Sequence, residues 1–228
     1  MIPRREKPPR LLPIERPSKI VCVGRNYAAH ARELGNEVPA EPLLFFKPSS
    51  SLIGEGEPIC IPAVSDQVEY EGEIGVVVGT QLHRASPDEA RRAVRGIVAL
   101  NDVTARDLQK RDGQWARAKG FDTFCPVSAE CPVRDLDLGK LEVVTRVNGE
   151  ERQRGSAAQM IFDIPALLAY ISSVMTLEPG DLVATGTPAG VGRLSPGDTV
   201  EVEVVGVGRI RNPVMADSAG GTRGPHGV

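Results

Sequence analysis

Histidine, paired cysteines, long apolar runs and surplus positive charge are all scarce in this sequence, and each scarcity removes a class of function. Three histidines, His30, His83 and His226, cannot build a histidine-rich metal centre. Four cysteines, Cys22, Cys60, Cys125 and Cys131, are scattered without a C-x-x-C pair. They read as reduced, mostly buried thiols of a cytoplasmic protein. No stretch approaches the ~18 consecutive apolar residues of a membrane helix, and the N-terminus lacks the clean apolar segment of a secretory signal. The formal net charge of −3 leaves no basic face for nucleic acid. Aromatic residues make up only 4% of the chain. What remains is an ordinary globular composition, 41% hydrophobic and 25% charged over 228 residues, enough to bury a core without disulfides or zinc. Abundant glycine (24) and proline (19) favour turns and short strands over a helical bundle.

Residues 1–18 carry five prolines and five basic residues against two acids. That density of proline opposes an amphipathic transit helix and predicts an extended arm. The Gly-rich tail, 215–228, is expected to be disordered, with His226 idle in it. Residues 19–214 read as one domain. It opens on a strand, Lys19–Val23, and turns at Gly24-Arg25-Asn26 into a helix with Asn26 as N-cap and Gly35 at C′. A long irregular loop is expected from Pro39 to Pro62. Glu73–Val78 reads as a strand, and Ser86-Pro87-Asp88-Glu89 is a capping box for a helix expected to run to Arg95 and stop at Gly96. Ile97–Asn101 is a buried strand. Leu141–Val147 alternates and meets Asn148-Gly149, a hairpin signal. Asp163 caps a helix whose Ile164, Leu167, Leu168, Ile171 and Met175 share a face. Pro-Gly-Asp turns at 179–181 and 196–198 each open a strand, and Val200, Val202 and Val204 alternate with Glu201 and Glu203. Together these make a strand-rich α+β domain with three modest helices around a mixed sheet.

Carboxylates carry the chemistry. Glu71 and Glu73, two apart at the mouth of a core strand, share a face, and Glu69 joins them if the strand starts early. Asp102 follows the apolar strand Ile97–Asn101. Three carboxylates without cysteine or histidine partners make an all-oxygen site, which favours Mg²⁺, Mn²⁺ or Ca²⁺ over zinc. The same E-x-E spacing also suits a solvated edge-strand face. His30 and Glu33 sit three apart on the first helix, a spacing that fits either a base with its orienting acid or a surface pair. Lys47 and Lys119 lie among apolar and aromatic neighbours, where a lysine can hold an anion or simply snorkel. Arg25 and Arg106 raise the same question. The loop Thr185–Gly192 presents hydroxyls and backbone N–H groups but lacks the ending of a phosphate-binding P-loop.

The segments GRNYAAH, FFKPSSSLIG, YEGEIGVVVG, NDVTARDLQ, AKGFDTFCP and GDLVATGTPAGVG, in this order, resemble the fumarylacetoacetate hydrolase family in its short single-domain form, over residues 19 to 212. The resemblance implies the family's mixed β-roll, assembled as a homodimer. It implies that Glu71, Glu73 and Asp102 hold Mg²⁺ or Mn²⁺, that His30 and Glu33 form a water-activating dyad on a lid, and that Lys119 stabilises negative charge on the substrate. Thr187, Arg25, Lys47 and Gln109 fall in substrate-binding motifs. The implied activity is divalent-metal-dependent C–C cleavage of a small 2-oxo acid through a metal-stabilised enolate, as in acylpyruvate hydrolysis or oxaloacetate decarboxylation. Two alternatives stand beside it: an isomerase or decarboxylase of 2-hydroxy-dienoate diacids, and a non-catalytic protein stabilised by a cation.

Overall fold

The computed structural model describes residues 14–134 and 136–217. The first half of the chain forms β1 (Ile20–Gly24), α1 (Ala28–Glu33), β2 (Leu43–Lys47), β3 (Leu52–Ile53), β4 (Ile59–Ile61), β5 (Val68–Tyr70) and β6 (Gly72–Val78). Then come α2 (Pro87–Arg92), β7 (Val94–Asn101), β8 (Thr104–Ala105), α3 (Arg106–Asp112), α4 (Ala116–Gly120), β9 (Cys125–Pro126) and β10 (Cys131–Pro132). The last part holds β11 (Glu142–Val147), β12 (Glu150–Ser156), α5 (Ile164–Val174), β13 (Leu182–Ala184), β14 (Gly192–Arg193), β15 (Thr199–Val204) and β16 (Gly208–Ala216).

A six-stranded sheet runs β10-β7-β6-β13-β1-β2, and a five-stranded sheet runs β12-β11-β15-β16-β4. Both are mixed: β1 lies parallel to β13 and β4 parallel to β16, while the other pairings are antiparallel. Smaller sheets, β14-β5-β8 and β3-β9, close the ends. This is the strand-rich α+β architecture expected from the sequence. All seven residues of β6 are buried, because it sits between two layers. On one side Ile74, Val76 and Val78 pack with Val143, Val202 and Val204 of the second sheet and with Leu167 and Ile171 of α5. On the other, Val77 joins Ile20, Cys22, Val98 and Leu182. Gly72 stands where the two sheets come closest, since a Cβ there would lie 1.9 Å from Thr145 Oγ1.

Several local signals act as read. Ser86 and Glu89 form the reciprocal capping box of α2, Asp163 accepts the Ala166 N–H to cap α5, and Asn148 and Gly149 turn at positive φ. Others differ, for physical reasons. The helix α2 ends at Arg92, and Arg95 and Gly96 already belong to β7. At Gly96 the Glu130 side chain lies across the strand, 2.4 Å from where a Cβ would stand. Asn26 caps no helix. Its amide instead donates to Phe162 O and Thr185 O and accepts from Phe162 N, tying the turn to the far side of the fold. The segment 39–62 contains three strands, β2, β3 and β4. Among the described residues five α-helices form in place of three, because the short charged segments of α3 and α4 carry no apolar period to announce them. The last strand runs through Ala216, paired with Ile61, past the 214 boundary, while 218–228 lies outside the described residues. Of the N-terminal arm, 1–13 is likewise outside them. Ile14 packs in the core, and Ser18 Oγ and the Lys19 N–H both donate to Asp181.

Candidate active site

The chain bends between β5 and β6, and Glu71 occupies the bend. Its N–H donates to Asn101 Oδ1 and its carbonyl accepts from Asp102 N, which locks the strand mouth to the end of β7. Glu71, Glu73 and Asp102 thereby converge, each offering a carboxylate oxygen within 4.8 Å of the others. They are only 5%, 2% and 0% exposed. Glu69, on the other side of the bend, does not join them. It accepts from Arg106 Nε at 2.7 Å and from Gln67 Nε2 at 2.6 Å.

Buried cations hold the cluster together. Lys119 Nζ donates to Glu71 Oε2 at 2.7 Å and to Asp102 Oδ2 at 2.6 Å, and lies 4.9 Å over the Phe45 ring. Lys47 Nζ donates to Asp102 Oδ1 at 2.6 Å and to Val103 O at 3.0 Å. Arg106 spans Glu69, Glu71 and the side-chain oxygen of Gln109. Glu73 is the exception. Among the described residues, its carboxyl accepts only the Gly186 N–H, at 2.8 Å.

The titration behaviour follows from this asymmetry. Burial pushes the Glu71 carboxyl up, but Lys119 and Arg106 beside it win, and it is held far below the usual carboxylate range. For Glu73, burial and the neighbouring Asp102 and Glu71 act together and hold the carboxyl well above that range. Burial lowers the Lys119 ammonium, but Asp102 and Glu71 outweigh it and keep it charged.

Fully ionised, the four carboxylates would face three cations and leave this buried cluster one positive charge short, and the carboxylate without a cation is Glu73, the one whose titration is pushed up. Each ionised carboxylate oxygen has a second lone pair beyond the bond it already accepts. Hard oxygen donors, closely spaced and short of positive charge, fit a hard divalent cation. Glu71, Glu73 and Asp102 are the residues that would hold it.

The remaining candidates surround a cavity of about 60 Å³ walled by the triad, His30, Arg25, Gln109, Lys119 and Thr187. Trp115 and Phe45, packed edge to face at 5.1 Å, form its apolar side. His30 Nδ1 lies 3.1 Å from Glu33 Oε2. Glu33 Oε1 in turn accepts the Gly190 N–H at 2.9 Å. Thr187 Oγ1 donates to Gly72 O at 2.9 Å and accepts from Gln153 Nε2 at 2.8 Å, so its proton is already committed. Arg25 stands at the mouth in a left-handed conformation, φ 59. Lys47 is placed differently from its expected role: it does not line the cavity but lies behind Asp102 as a buttress. The sequence reading did not anticipate Gln153, or Asn101 as the clamp on Glu71. Both are polar residues in strand segments, and only the fold brings them to the site.

A family model described as fumarylacetoacetate (FAA) hydrolase C-terminal matches residues 19–215. The chain is 45% identical over 195 residues to "Oxaloacetate decarboxylase, mitochondrial" of Dictyostelium discoideum, covering 83% of this chain and 89% of that protein. Its fold superposes on 5-carboxymethyl-2-hydroxymuconate delta-isomerase from Mycobacterium smegmatis with a TM-score of 0.83 and 46% identity, over 91% of this chain and 82% of the other. It also matches fumarylpyruvate hydrolase from Pseudomonas aeruginosa, solved in complex with Mn²⁺ and pyruvate, with a TM-score of 0.83 and 32% identity over 87% and 90% of the two chains.

Proposed function

This chain belongs to the fumarylacetoacetate hydrolase family and is an enzyme, and from that premise we propose that it cleaves a C–C bond of small 2-oxo acids. The observation that carries the reading is the buried triad Glu71, Glu73 and Asp102 sharing one cavity with Lys119 and His30. A divalent cation held by the triad would supply Lewis acidity toward the 2-oxo and carboxylate oxygens of the substrate.

The protein's own groups do the rest. Lys119, charged and buried, faces the negative charge that develops when the bond breaks and an enolate leaves. In a water-poor site that attraction is far stronger than in solvent. Glu33 holds His30 through Nδ1, which leaves Nε2 as the nitrogen for proton transfer. In hydrolysis His30 takes the proton of a water adding to a distal carbonyl. In decarboxylation no water is needed, and carbon dioxide departs as the enolate forms.

Charge supports a diacid such as oxaloacetate. A divalent cation turns the cluster's deficit into one surplus positive charge, enough for one carboxylate. A second carboxylate meets Arg25 and Lys110, which line the wider groove continuing from the cavity mouth. The similarity to the Mycobacterium smegmatis isomerase supports a second reading, isomerisation of an unsaturated 2-hydroxy diacid, which uses the same groups. The exposed edge strand β2, with Leu43 and Phe46 outward, supports action as a homodimer.

The test is turnover of oxaloacetate, acetylpyruvate and a 2-hydroxy-dienoate diacid, each with Mg²⁺ or Mn²⁺ and with chelator. Chelator-sensitive loss of oxaloacetate or acetylpyruvate is expected. Turnover of the dienoate alone would transfer the protein to the isomerase reading, and full activity in excess chelator would overturn the role of the triad.

A further inference from the structure

Glu33 is more loosely held than the base it orients: its side chain is 32% exposed, against 5% for His30, and it stands on a six-residue helix with no side-chain N-cap. A free glutamate on such a helix samples several rotamers, and fixing one costs side-chain entropy. Two contacts offset that cost, one from His30 Nδ1 on Oε2 and one from the Gly190 N–H on Oε1. The Gly190 contact comes from a loop held rigidly elsewhere. Gly190 takes φ 102, and a Cβ there would lie 2.2 Å from Arg152 O, so the loop presses directly on β12. Gln153 Nε2 donates to Pro188 O at 2.8 Å on one side of Gly190. On the other, Tyr70 OH donates to Gly190 O at 2.9 Å, and Gly192 pairs with Tyr70 across β14 and β5.

We infer that Tyr70 and Gly190 are positioning residues for the His30–Glu33 pair, holding the carboxylate so that the imidazole keeps its orientation toward the cavity. The inference rests on the proposed role of His30 as the proton acceptor. Neither residue lines the cavity. The same contact ties α1 to the Gly-rich loop, so docking of that helix and orientation of the base are one event.

Kinetics of Tyr70→Phe, Glu33→Ala and the double variant on acetylpyruvate, whose hydrolysis uses His30, test this. Tyr70→Phe alone is expected to lower kcat about three- to tenfold, the scale of one hydrogen bond, with KM nearly constant. In the Glu33→Ala background it is expected to have no further effect, because its influence passes through Glu33. Hydrogen exchange at the Gly190 amide is expected to accelerate at least about tenfold in Glu33→Ala. Additive losses in the double variant would overturn the inference. So would a Tyr70→Phe defect that tracks weakened Mn²⁺ binding by calorimetry, since that would place the effect on neighbouring Glu71. A wild-type protein inactive on every 2-oxo acid would overturn the enzymatic reading instead, while the exchange measurement would still decide the contact.

Discussion

Two E-x-E segments in this molecule look alike and behave as opposites. Glu71-Gly72-Glu73 lies at the buried mouth of β6, and Glu201-Val202-Glu203 lies on β15 at the surface. Both meet basic partners at similar distances. Arg146 reaches Glu201 at 3.2 Å and Glu203 at 2.7 Å, much as Lys119 reaches Glu71 at 2.7 Å. Water separates the two cases. Glu201 and Glu203 side chains are 20% and 31% exposed, and such pairs contribute little because solvent screens them. The inner pair is buried, so each carboxyl depends on its neighbours, and Glu73 has only the Gly186 N–H and no cation, which pushes its titration up. Spacing alone does not separate a site from a solvated face. Burial with an unbalanced charge does.

That contrast is open to direct measurement. The largest expected effect is on stability. Lys47→Met removes one partner of a fully buried pair and leaves Asp102 with Lys119 alone, which is expected to cost about 3–5 kcal/mol in denaturant unfolding. A loss below about 1 kcal/mol would mean that the inner cluster is as well solvated as the outer one. Next is function: Glu71→Gln keeps the shape but removes the charge, and is expected to lower Mn²⁺ affinity and turnover together by about a hundredfold. Loss of turnover with intact Mn²⁺ binding would separate Glu71 from the ion. The smallest effect belongs to the outer pair, where Glu203→Gln is expected to shift stability by less than about 0.5 kcal/mol and leave turnover unchanged. A larger shift would mean that the surface lattice of Arg146 and its partners acts as a network.

The inner triad was legible in sequence because the second glutamate runs straight into apolar residues and Asp102 follows a strand without polar alternation. The capping box at Ser86, the Asn148-Gly149 turn and Asp163 were legible for the same reason: each is local chemistry acting over three or four residues. What stayed hidden depends on contacts between distant segments. Lys47 and Lys119 have similar apolar neighbours in sequence, yet one stands behind Asp102 and the other at the cavity. Glu69 and Glu71 share a strand period and the same Arg106, but only Glu71 also reaches Lys119 and the triad. The polar segment of β12, Glu150–Ser156, carries no strand signal of its own and forms because the turn at 148–149 folds it onto β11.

Gly72 has a mechanical meaning as well as a steric one. It sits between the two glutamates with Thr145 of β11 filling the place a side chain would take. The second sheet therefore packs directly against the backbone that joins Glu71 to Glu73. Small and large divalent cations differ chiefly in the size and stiffness of the cage they accept. Were the triad to hold an ion, its size would be gauged in part by a strand that offers it no ligand, and remodelling β11 would retune the preference from outside the coordination sphere.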